Sequence, residues 1–160
     1  MPDWQAIGFV SDDFRQEVGG TASIIGVHQD HLNVPSVPIG LAKLAFTIRV
    51  HVPLSLPAKN ISAVLRFPNG TEQSLGTISQ KEVENAQVEN RKSGLPHVGF
   101  VFSAVAANLQ MPTEGMSYLM AKYGEEERVC GVMNIRVKPS SIASQQPSSR
   151  SGTDAPKTAT

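Results

Sequence analysis

Polar and apolar residues alternate strictly through the middle of the chain. From Lys43 to Val52, large apolar side chains occupy every even position, and small or polar side chains occupy every odd position. Successive side chains of a β-strand point to opposite sides of the sheet, so this period of two predicts a strand with one buried face. The alternation recurs at 61–67. The Asn69-Gly70 pair that follows is a strong two-residue hairpin signal, and 71–78 is predicted as the returning strand.

Further segments extend the β pattern toward both ends of the chain. Residues 6–10 predict a short opening strand, and 116–123 and 128–137 predict a hairpin around Gly124. Residues 98–109 are apolar at successive positions, which is typical of a central strand that is covered on both faces. On the last predicted strand, the residues expected to share one face with Gly131 are Val129, Met133, Ile135 and Val137.

One segment departs from the β pattern. Ser79 is followed three residues later by Glu82, which is the arrangement of a helix capping box. The sequence therefore predicts a short helix at about 80–91, ended by Gly94 and Pro96. About eight short strands with turn signals between them favour an all-β fold. We expect an antiparallel β-sandwich of immunoglobulin-like or C2-like topology.

The length and the C-terminal composition define the domain organisation. A chain of 160 residues has the size of one domain and can bury a substantial core. We assign 1–138 to the β-sandwich domain. From Pro139 onward the sequence is rich in Ser, Thr and Pro, and Ile142 is its only large apolar residue. Such a segment buries too little surface to offset its ordering entropy, so 139–160 is predicted to be a disordered or extended tail.

Charge and cysteine content limit the expected partners and location. Fourteen basic residues balance fourteen acidic ones, so no long-range attraction to nucleic acid or to anionic membranes is expected. Cys130 is the only cysteine, which is typical of a reducing compartment. The N-terminus lacks a basic signal-peptide region, and no apolar run approaches the roughly 20 residues of a membrane-spanning helix. We expect a cytoplasmic protein without a nucleic-acid or membrane partner.

The densest charged cluster comes just before a predicted turn. Gly19-Gly20 predicts a two-residue hairpin that folds a charged strand back on an apolar one. Two hypotheses remain open for this cluster. It is a binding site or the start of a cation site, or else one carboxylate caps the turn while the other charges pair with each other or across strands. The candidate binding residues are Asp12, Asp13, Arg15 and Glu17.

The sequence contains few other candidate site residues. His28, Asp30 and His31 have spacing that places two imidazoles near one oxygen ligand, but a zinc site also needs a third protein ligand from elsewhere. Cys130 lies in the middle of a predicted strand, where a lone cysteine usually serves as a small hydrophobic residue. The sequence contains no nucleophile-elbow, phosphate-loop or dinucleotide-binding motif. We therefore assign no catalytic residue, metal or cofactor.

The segment 9–30 resembles the opening of a family of uncharacterised bacterial or phage-borne proteins. The family signature is Asp-Asp-x-Arg-x-Glu, a glycine turn, and then Leu/Ile-Ile-Gly-Val/Ile followed by an aromatic residue, where this chain has His28. Residues 109–137 resemble the closing hairpin of the same family, with Tyr123-Gly124-Glu125 at its turn. The resemblance implies a small β-sandwich and no assigned activity. The matching residues of the signature are Asp12, Asp13, Arg15, Glu17, Gly20, Ile24, Ile25, Gly26 and Val27.

These observations favour a non-enzymatic binding or assembly module. Its partner would be another protein or a second copy of the chain, which would have to cover 98–107 if one face of that strand is left open. One alternative is a small metal-dependent hydrolase that uses Asp12, Asp13 and Glu17. A second alternative is a virion or accessory structural protein of a phage, in which case the location is the virion.

Overall fold

The computed structural model describes residues 3–138, so the predicted tail at 139–160 lies outside the described residues. Within that range the chain forms nine strands and one helix. In chain order they are β1 Gln5–Gln16, β2 Ala22–His28, β3 His31–Val34, β4 Ile39–Pro53, β5 Ile61–Arg66, β6 Glu72–Ile78, α1 Gln80–Lys92, β7 His97–Met111, β8 Gly115–Tyr123 and β9 Glu126–Val137.

The strands form two sheets, which confirms the predicted all-β sandwich. The four-stranded sheet has the order β2-β1-β4-β7, and the five-stranded sheet has the order β3-β9-β8-β5-β6. The expected count of eight strands is one too low, and the pairing is not antiparallel throughout, because β3 runs parallel to β9. The chain crosses from β2 to the opposite sheet within the two residues after His28. The chain therefore joins the five-stranded sheet as the short strand β3, which runs in the same direction as β9.

The predicted alternation in β4 is confirmed. The side chains of Leu44, Phe46, Ile48, Val50 and Val52 are each at most 2% exposed and form the centre of the core. Burying one side chain of this size stabilises the fold by about 1.5–3 kcal/mol. The neighbouring strands β1 and β7 flank β4 on both sides, so even Thr47 on its outer face is buried.

The two hairpins predicted from Gly19-Gly20 and Asn69-Gly70 are present, but each loop is one residue longer than predicted. The N–H of Glu17 donates to the carbonyl of Thr21 across the first loop, and the N–H of Phe67 donates to the carbonyl of Thr71 across the second, both at 2.8 Å. Gly70 closes the second loop with a φ of 83°. A three-residue loop needs this left-handed conformation at its last position, where glycine has no steric penalty.

The predicted helix and its capping box are confirmed. α1 begins after Ser79, whose hydroxyl accepts from the N–H of Glu82. The Glu82 carboxylate in turn accepts from the N–H of Ser79 at 2.7 Å. Gln87 is buried and donates to the carbonyl of Leu56 at 3.1 Å, so the inner side of the helix is fixed to the loop after β4.

The prediction that 98–109 forms a central strand is wrong. β7 lies at one end of the four-stranded sheet, and β4 is the only strand among residues 3–138 that pairs with it. Its inner face is buried through Val98 and Phe102, but Val101 and Val105 on its outer face are 58% and 48% exposed. The residues are apolar on both faces, yet the rest of residues 3–138 covers only one of them.

The prediction of which β9 residues share a face with Gly131 is also partly wrong. The pairing of β8 with β9 shifts between Leu119, which lies opposite Gly131, and Met120, which lies opposite Val129. Cys130 is therefore an extra residue on β9, and Val129 turns outward and is 53% exposed. An inserted residue of this kind is a β-bulge and reverses the side-chain alternation beyond it.

Candidate functional site

The charged cluster lies in the body of β1, since that strand continues six residues beyond the predicted end at residue 10. Asp13 accepts hydrogen bonds from Lys43 on β4 and from Arg15, whose Nε lies 3.1 Å from its carboxylate. The Lys43 ammonium, followed by the Arg15 guanidinium, lowers the pKa of the Asp13 carboxyl below its usual value. Asp13 is thus held as an anion between two cations.

Asp12 contacts a different partner on the other side of β1. Its Oδ1 lies 2.9 Å from Nε2 of His28 on β2. The carboxylate lies directly over Gly26, where an added Cβ would be only 2.1 Å from Oδ2. Gly26 also has a φ of 67°, so glycine is required there both by conformation and by the lack of space.

Glu17 completes the cluster without joining the other charges. Its carboxylate accepts from the hydroxyl of Ser23 across the hairpin at 2.8 Å. Arg15 and Glu17 do not pair with each other, because Arg15 pairs with Asp13. Pairing across strands is found for Asp13 with Lys43 and for Asp12 with His28. Within residues 3–138, no three His, Cys, Asp or Glu side chains lie close enough to hold a metal ion. The four predicted site residues are therefore divided among separate pairs, and their binding role stays a prediction.

The other candidate residues are also separated. His28 ends β2 in the four-stranded sheet, whereas His31 begins β3 in the five-stranded sheet. The backbone carbonyl of Asp30 between them accepts from the N–H of Asn134 at 2.9 Å. Cys130 is half-buried, and burial raises the pKa of its thiol to about 12. Such a thiol is almost entirely protonated at neutral pH and is a poor nucleophile.

The outer faces of the two sheets differ in chemistry. The five-stranded sheet carries a network in which Glu72 accepts from Arg66 at 2.6 Å and from Lys122 at 2.9 Å. Lys122, and then Arg66, lower the pKa of the Glu72 carboxyl. These ion pairs keep their part of the face solvated, although Val129 on β9 is also exposed there. The large apolar residues exposed on the outer face of the four-stranded sheet are Ile7, Phe9, Ile24, Val101 and Val105.

A groove of about 740 Å³ crosses the outer face of the four-stranded sheet. We call it the outer groove and define it by lining residues from all four strands of that sheet. Side chains from strands that are far apart in the sequence form it, so no local motif reveals it. The only available sequence signal was the apolar surplus of 98–109. The lining residues on which the argument below depends are Phe9, Phe14, Ile24, Thr47, Arg49 and Val101.

The edge of the same sheet is the second feature that sequence reasoning missed. β7 has 15 residues and hydrogen-bonds to β4 along one side, and no other strand among residues 3–138 pairs with its free side. The segment 98–111 contains no Asp, Glu, Lys or Arg. Exposed edges are usually protected by charges, proline, bulges or short length, because unpaired N–H and C=O groups attract another strand. β7 is uncharged, and its regular backbone extends from His97 to Ala107, before Asn108 with its left-handed φ of 54°.

No helix within residues 3–138 is both long and apolar enough to cross a membrane. No protein-family model matches the chain, and no curated protein matches it either.

Proposed function

We propose that this chain is a non-enzymatic assembly module that pairs the free edge of β7 with a strand of a second chain. The observation that carries the proposal is the length of this uncharged edge beside two exposed valines, Val101 and Val105. Addition of a strand to an open sheet edge is a common mode of protein recognition, in which backbone hydrogen bonds supply much of the affinity.

The other open edges are less suited to this role. β3 has only four residues, and β2 has seven, among which Gly26 has a left-handed φ of 67°. β6 is interrupted, because its pairing with β5 shifts between Gly76 and Ser74 and leaves Leu75 as an extra residue. Short strands and bulges both limit pairing with a further strand. The free side of β7 is thus the edge that offers the longest template.

A second copy of the chain is the partner that fits β7 best. Antiparallel pairing of two β7 strands about a two-fold axis at Ser103 places Val101 of one copy opposite Val105 of the other. Two four-stranded sheets then become one eight-stranded sheet. Each cross-strand pair of β-branched residues contributes about 0.2–1 kcal/mol beyond the backbone hydrogen bonds. The contact is isologous, as in most homodimers. A virion or accessory role would be one setting for such assembly.

The test is the molar mass measured by size-exclusion chromatography with light scattering over a range of concentrations. We expect a dimer for the unmodified chain and a dimer about 2- to 30-fold weaker for V101K, because lysine removes both Val101–Val105 pairs, each worth about 0.2–1 kcal/mol.

The matched control is V129K, which places the same change at a valine of similar exposure on β9, 53% against 58%. We expect V129K to remain dimeric. A monomeric unmodified chain, or a V101K variant with the same dimer affinity as V129K, would contradict pairing through β7.

A further inference from the structure

The outer groove contains a buried polar atom without a partner. Thr47 lies on the outer face of β4 and is only 5% exposed. Its hydroxyl oxygen is shielded from solvent and has no hydrogen-bond partner within residues 3–138. A buried hydroxyl is normally paired, so the Thr47 hydroxyl is available to a further hydrogen-bond partner.

Arg49 gives the groove its charge. It lies two residues from Thr47 on the same face of β4, a separation of about 6–7 Å along the strand. No carboxylate within residues 3–138 lies within 4 Å of its guanidinium. None of the residues that line the groove is acidic. The groove therefore has a positive charge that is not neutralised locally, which favours an anionic occupant.

The remaining walls of the groove are apolar. Phe9 and Phe14 from β1 and Ile24 from β2 lie on one side, and Val101 from β7 lies on the other. The volume of about 740 Å³ lies within the range of small-molecule sites. An apolar surface with a few convergent polar groups is the usual composition of such a site.

We propose that the outer groove binds a small organic carboxylate with an apolar body. The carboxylate accepts from the Arg49 guanidinium and from the Thr47 hydroxyl, which turns toward it and gains its missing partner. The hydrocarbon part packs against Phe9, Phe14 and Ile24. A guanidinium is well suited to a carboxylate because its planar N–H groups match the two oxygens. This inference goes beyond assembly through β7, although Val101 belongs both to the wall of the groove and to the proposed dimer contact.

The experiment compares octanoate with octan-1-ol by isothermal titration calorimetry, since the two probes share the apolar chain and differ in charge. We expect one octanoate to bind per chain. Octan-1-ol should bind at least about tenfold more weakly than octanoate, the ratio expected for loss of a charge-assisted hydrogen bond. Equal affinities for the two probes, or no binding of octanoate, would overturn the proposal.

Single substitutions test the separate contributions of the Thr47 hydroxyl and the Arg49 guanidinium to octanoate binding. We expect T47V and R49Q each to weaken octanoate binding about tenfold, and T47S, which keeps the hydroxyl, to bind within about twofold of the unmodified chain. R136Q on the exposed part of β9 is the control for loss of a positive charge and should bind normally. Equal binding by T47V and T47S would overturn the role of the hydroxyl. Molar mass measured on the same samples separates loss of binding from loss of assembly.

Discussion

Replacement of Gly131 by alanine tests how closely the two sheets pack. Gly131 on β9 faces the backbone of Gly8 on β1, and each residue lacks a side chain at the contact. A methyl group at residue 131 would lie 2.8 Å from the carbonyl oxygen of Gly8 and 3.2 Å from Cδ1 of Leu119. Ordinary carbon–oxygen contacts in sheets are about 3.3–3.6 Å. The backbone of β1 or β9 must therefore move by roughly half an ångström.

The expected cost follows from two opposing effects. Extra volume in a well-packed core costs about 1–3 kcal/mol, because neighbouring groups are displaced. Alanine regains about 0.5–1 kcal/mol, because glycine loses more conformational entropy in a strand. The net expectation is a loss of about 1–2 kcal/mol in the free energy of unfolding. For a domain of this size, that loss corresponds to a fall of about 3–8 °C in the melting temperature.

Urea denaturation and calorimetry of G131A measure both quantities. The matched control is G99A on β7, where the added methyl would meet no atom closer than His51 Cε1 at 3.9 Å. G99A has the same entropic gain without a close contact, so we expect it to be as stable as the unmodified chain or more stable by up to about 1 kcal/mol. If G131A were as stable as G99A, the close approach of β1 and β9 described above would be incorrect.

Three further predictions concern single side chains. S79A removes one half of the capping box, so we expect a loss of about 1 kcal/mol by urea denaturation, and an unchanged stability would exclude a capping role. Cys130, with a thiol pKa raised to about 12, should react with a disulfide reagent at pH 8 far more slowly than free cysteine, and rapid reaction in the folded state would refute this. Because the pKa of Glu72 is lowered in the folded state, its contribution to stability is present above the usual value of 4.5 and is lost as the pH falls through the lower folded value. E72Q should therefore show a weaker loss of stability on acidification, and an identical pH profile would argue against the ion pairs with Lys122.

The parts of the fold that were predictable depend on local pattern. The alternation in β4 and the capping box at Ser79 and Glu82 need only neighbouring residues, and both are found as expected. The glycine turns fixed the hairpin positions, but the loop length depends on the backbone conformation at Gly70, which the residue type alone does not specify. The face of Val129 was missed because one extra residue, Cys130, reverses the alternation.

The parts that were not predictable depend on strands far apart in the sequence. An apolar strand can be central or can carry an interface, and only the position of β7 beside β4 distinguishes the two cases. The charged residues at 12–17 were correctly located at a hairpin, but their partners His28 and Lys43 come from separate strands. The outer groove arises in the same way, since Thr47 and Phe9 become neighbours only when β1 pairs with β4.

Amide hydrogen exchange at low and high protein concentration tests the central claim most directly, because it locates the assembly contact on the chain. Pairing between two β7 strands predicts that exchange within 98–107 becomes slower as the concentration rises, while exchange within the other edge strands β2, β3 and β6 stays constant. Exchange at 98–107 that is independent of concentration in a sample shown to be oligomeric, or protection that appears at another edge instead, would contradict assembly through β7.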